Sequence, residues 1–77
     1  MKLVPIYEVE DFSKSSIRPD PTFVCPDHVT HVSVEQASYY RQYQEDGVVE
    51  YTAIHLSSGK SVNVFNNIAE IYTLLNT

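Results

Sequence analysis

Two hydrophobic rhythms run through the chain. Val32 and Val34 alternate with His31, Ser33 and Glu35, and a period of two is the signature of a strand over Val29 to Glu35. Ile68, Ile71, Tyr72 and Leu75 recur at i, i+3, i+4 and i+7, which places one apolar stripe along a helix. A third segment, LVPIYEV from Leu3 to Val9, predicts a short strand. Pro5 cannot donate to a sheet ladder, so that strand belongs at an edge. Residues 10–22 are polar, with three serines and two prolines and neither period, and predict a loop held to the core by Phe12 and Ile17. Phe23 to Cys25 predicts a short extended piece before a Pro26-Asp27 turn.

The turns between these segments set the expected pairings. Asp46-Gly47 tolerates positive φ and predicts a two-residue hairpin turn, joining a strand that ends near Glu45 to one over Val48 to Leu56. Residues 33–44 admit a helix, with Ser33 as cap and Gln36 completing a capping box, or a strand. Three tyrosines within five residues favour the strand. At the next turn, a three-residue Ser57-Ser58-Gly59 loop pairs Leu56 with Lys60, Ile54 with Val62 and Thr52 with Val64. That register places Ile54, Val62 and Val64 on one face, and a slip of one residue would reverse the whole set. Asn67 is a suitable N-cap for a helix over 67–76, with Glu70 in its first turn. So short a helix needs a surface to pack on. The expected fold is a single α+β domain over 1–77. Its small, mainly antiparallel sheet has four to five strands, with one C-terminal helix packed on a face.

Length and charge narrow the function. The 77 residues bury only about 60% of the surface of the unfolded chain, which leaves one thin core and argues against a catalytic pocket. Ten acidic side chains face five scattered basic ones, Lys2, Lys14, Arg18, Arg41 and Lys60. Without a basic stripe, nucleic acid and anionic membrane surfaces are poor partners, and a basic protein surface is a better one. One cysteine excludes an internal disulfide framework and points to a reducing compartment. No signal-peptide pattern and no apolar run of about 20 residues is present, so a cytoplasmic location is expected.

Candidate chemistry concentrates in CPDHVTH. Cys25, His28 and His31 supply three metal-ligating groups, and a fourth would have to come from Asp27 or His55. Tetrahedral zinc needs four ligands, or three and water, so the expectation is a Pro-Asp turn and no cofactor. SSGK at 57–60 lacks the earlier glycine of a phosphate loop and lies between two strands. Tyr39, Tyr40, Tyr43 and Tyr51 surround one hairpin whose rim carries Glu45, Asp46 and Glu50. Tyrosines beside steering charges suit a protein interface, so Tyr40, Tyr43, Glu45, Asp46 and Glu50 are the expected binding residues.

The segment YTAIHLSSGKSVNVFNNIAEIYTLL, Tyr51 to Leu75, resembles the strand, glycine hairpin, strand and capped helix that end LytTR-type DNA-binding domains and the small flagellar FlbD family. That resemblance covers roughly a third of the chain and implies a nucleic-acid-binding regulator. The residues themselves favour a small acidic non-catalytic protein-binding module, an adaptor or inhibitor of a cellular protein. Small acidic phage-encoded modulators of host enzymes are similar in kind. The alternative is a self-associating protein, a homodimer formed through the edge strand 3–9.

Overall fold

The computed structural model describes residues 2–39 and 47–76. Its α+β architecture consists of small antiparallel sheets and one C-terminal helix. The strands are β1 (Val4–Ile6), β2 (Val9–Asp11), β3 (Ser16–Ile17), β4 (Thr22–Val24), β5 (Val29–Tyr39), β6 (Gly47–Leu56) and β7 (Ser61–Val64), and the helix is α1 (Ile68–Leu75). They divide over a three-stranded sheet, β5-β6-β7, and two ribbons, β1-β4 and β2-β3.

The β6–β7 hairpin follows local turn chemistry. Leu56 N donates to Lys60 O at 2.9 Å and Gly59 N to Leu56 O at 3.0 Å, which closes the three-residue loop. Gly59 has φ of 90°, where a Cβ would be strained. Thr52 pairs with Val64 and Ile54 with Val62, as the hydrophobic pattern requires.

The β5–β6 pairing departs from expectation. A two-residue turn at Asp46-Gly47 would set Val48 opposite Glu45, but Val48 pairs with Ser38 and Gly47 with Tyr39. Core chemistry explains the choice. The observed register places Val32 opposite Ile54 and Val34 opposite Thr52. The turn-based register would bring Arg41 opposite buried Thr52, which would leave a charge to desolvate. The strand over 33–39 is found as expected, since β5 runs to Tyr39.

Two N-terminal expectations are also revised. The segment 3–9 is interrupted: β1 pairs with β4, and β2 pairs with β3. The polar stretch 10–22 is therefore a small hairpin and not a loop throughout. Asp11 Oδ1 accepts hydrogen bonds from Ser13 N at 2.9 Å and Ser13 Oγ at 2.6 Å, a local turn that substitutes for ladder bonds. Phe12 does pin this hairpin to the body, with its ring 4.8 Å from Tyr51 and 5.9 Å from Phe65. Ile17 does not, being 48% exposed.

The core lies between the β1–β4 ribbon, the β5-β6-β7 sheet and α1. Val4, Ile6 and Val24 meet Ile54, Val62, Val64 and Ile71, with Val29, Val32, Leu56 and Leu75 at the margin. Asn67 caps α1 by accepting from Glu70 N at 2.9 Å. The reciprocal half of a capping box is absent, because Glu70 Oε2 accepts from Asn66 Nδ2 at 3.1 Å. Only part of the predicted stripe is used: Ile71 is buried and Leu75 half-buried, while Tyr72 is 70% exposed and Ile68 is exposed too. The ribbon shares the same sheet face, so two helical turns reach it through a narrow line of side chains.

Candidate protein-binding arm

β5 and β6 are longer than the sheet that supports them. β7 pairs with β6 only from Thr52 to His55. Beyond it, Glu35↔Tyr51, Gln36↔Glu50, Ala37↔Val49, Ser38↔Val48 and Tyr39↔Gly47 continue as a two-stranded arm. The molecule is correspondingly long, with principal extents of 47 × 23 × 22 Å. A lone two-stranded ribbon is marginal in water, so the arm depends on side-chain pairs and on its root.

Alternation assigns the arm two faces. One carries Val34, Gln36, Ser38, Val48 and Glu50, and continues the core face outward. The other carries Glu35, Ala37, Tyr39, Gly47, Val49 and Tyr51. Val34 is 50% exposed and Val48 64%, so the apolar positions of the first face lie open to solvent. On the second, the Tyr39 ring crosses Gly47 and occupies the space a Cβ would need. This glycine is therefore a seat for an aromatic ring, although its sequence context reads as a turn. Tyr51 anchors the root against Phe12. A groove of about 150 Å³ lies at the root, lined by Val34, Glu50, Tyr51, Phe65 and Ile68 among others. Of the expected binding residues, Glu50 is an exposed arm residue. Tyr40, Tyr43, Glu45 and Asp46 lie outside the described residues.

The CPDHVTH stretch is dispersed by the fold. Cys25 is a free, half-buried thiol that precedes a short 3-10 turn over Pro26–His28. His28 is exposed, and its carbonyl accepts from Ser57 N at 2.8 Å. His31 points instead to the second face of β5 and stacks on His55, with centroids 4.1 Å apart and planes 10° from parallel. Among the described residues, no three His, Cys, Asp or Glu side chains group so as to hold a metal ion.

The histidine pair was not legible in the sequence, because only the β5–β6 register brings His31 opposite His55. Thr30 Oγ1 lies 3.0 Å from His31 Nδ1 and donates to His55 O at 3.1 Å. Ser33 Oγ donates to Glu35 Oε1 at 3.0 Å and lies 2.8 Å from His55 Nε2. One hydroxyl has one proton, so His55 Nε2 is the donor to Ser33.

The chain matches no known protein-family model, no curated protein and no solved structure. Among the described residues, no helix is long and apolar enough to cross a membrane.

Proposed function

We propose that the chain is a small non-catalytic protein-binding module that docks on a basic protein surface through the β5–β6 arm, as an adaptor or inhibitor. The supporting observation is the unbraced arm itself, with apolar Val34 and Val48 open on one face. The chain exposes 5445 Å², against about 4,800 Å² for a compact protein of its mass. That surplus is comparable to one partner's share of a standard interface. Charge favours a basic partner: between 35 and 50 the sequence has Glu35, Glu45, Asp46 and Glu50 against Arg41 alone. Tyr40 and Tyr43 in the same segment add amphipathic contact area.

The test is capture of partners by the tagged chain from its native lysate, with nuclease, followed by affinity measurement on the captured protein. Tyr43→Ala with Glu50→Lys in a folded chain is expected to weaken binding about tenfold or more. Unchanged affinity removes the arm as the interface. Capture that disappears with nuclease replaces this reading with nucleic-acid binding.

A further inference from the structure

A second open apolar surface lies on the body, on the side of the β1–β4 ribbon away from the core. Val4, Ile6 and Val24 face inward and are buried. Alternation therefore turns Leu3, Pro5, Tyr7 and Phe23 outward. Leu3 is 52% exposed, Tyr7 49% and Phe23 61%, and Pro5, paired with Phe23, is exposed as well. Pro5 and Phe23 pair across the ribbon with Leu3 and Tyr7 on the same side, an apolar face of roughly a few hundred Å², the scale of the largest patches on monomers.

From this patch we infer that the outward face of the β1–β4 ribbon packs on the same face of a second copy, giving a two-fold homodimer. Charge selects the occupant. No residue in 3–7 or 21–26 is ionisable apart from Tyr7 and Cys25, in a chain whose net charge is −5. A basic partner finds nothing to pair with here and is drawn to the acidic arm. Two acidic copies approach with least repulsion where neither is charged, and burying this face desolvates no ion. A two-fold also sets like against like, which suits a patch of three apolar side chains and one tyrosine.

The contact is face to face and not edge to edge. β1 has only three residues, and Pro5 at its centre has no N–H, so its edge is a poor template for a strand from another copy. Packed ribbons would lie about 10 Å apart with Phe23 and Tyr7 interleaved. Two such faces bury less than the standard interface of about 1,600 Å², so the dimer belongs to the weak, transient class and forms at high concentration. Such a dimer presents two arms, and the inference stands whether or not the arm binds a partner.

Sedimentation equilibrium on the full chain, from about 10 μM to about 1 mM, is the test. The mass is expected to rise from 8.8 kDa toward twice that value. Phe23→Glu and Tyr7→Glu should each hold it at 8.8 kDa with an unchanged circular dichroism spectrum. Val48→Lys, on the arm, should leave the rise intact. Isotope-filtered NOEs between labelled and unlabelled wild-type copies should connect Phe23 of one with Leu3 or Tyr7 of the other, and they decide the matter if a variant unfolds. A constant 8.8 kDa at every concentration overturns the inference. So does a dimer that survives both Glu substitutions, or one that Val48→Lys abolishes.

Discussion

One strand, β6, passes through two environments. From Thr52 to Leu56 it has β5 on one side and β7 over most of the other, with α1 and the β1–β4 ribbon across its core face. From Gly47 to Tyr51 its one strand partner among the described residues is β5, with Phe12 touching it at Tyr51. Ile54 is fully buried and Val48 is 64% exposed, although both are β-branched and on the same face. The difference lies in the neighbours. A third strand and a covering layer convert an apolar side chain into core, and without them the same side chain is available to another molecule.

The largest expected effect tests that contrast directly. Ile54→Ala should cost about 2–5 kcal/mol in urea denaturation, because its cavity is enclosed by Val32, Val62 and Ile71. Val48→Ala should stay within about 0.5 kcal/mol. If the two variants lose similar stability, the arm belongs to the cooperative core and the distinction fails.

Gly47→Ala comes next. In an ordinary strand the exchange would be mildly favourable, since glycine weakens strands. Here the tip of the Tyr39 ring occupies the site and has to swing aside, so the gain should vanish or become a loss of up to about 1 kcal/mol, confined to the arm. Amide exchange should speed up at 37–39 and 47–49 while Ile54 and Val62 keep their protection. Combining it with Tyr39→Ala should remove most of the loss, and an additive loss would contradict the ring-on-glycine account.

The smallest effect lies in the β2–β3 turn, where the Asp11 carboxylate accepts from Ser13. The Ser13 hydroxyl bonded to Asp11, aided by backbone donors and Lys14, holds the carboxyl below its ordinary value of 3.8. The fold therefore favours the ionised form, a contribution fully present above 3.8 and lost as pH falls through the lower folded value. A carboxyl NMR titration should find Asp11 below 3.8, and Ser13→Ala should move it back toward that figure. No movement would mean that the hydroxyl bond is not formed in solution.

Legibility follows the same division between local and distant causes. The Ser57–Gly59 loop, the Ile54–Val62 register and the Asn67 cap were readable because each is decided by residues close in sequence. Asp46-Gly47 shows where the same logic fails: its turn propensity is real, but Val32 opposite Ile54 is worth more to the core. The outward face of β1 was implicit in the alternation of LVPIY, but its exposure, 52% at Leu3 and 49% at Tyr7, depends on where the rest of the fold packs. Of the expected binding residues, Glu50 alone lies within the described structure, on the arm.

By itself, then, the sequence determined the α+β class, the β6–β7 hairpin, the capped helix and the acidic character of the surface. Each depends on periodicity, turn chemistry or charge, which neighbouring residues carry between them. Tertiary structure alone decided the β5–β6 register, and with it the His31–His55 stack and the unbraced arm. It also decided that Tyr72, Val48 and Phe23 remain exposed. The reason is that an apolar residue can be assigned to a face from the sequence. Whether that face is covered depends on how many elements compete for the same small area of sheet.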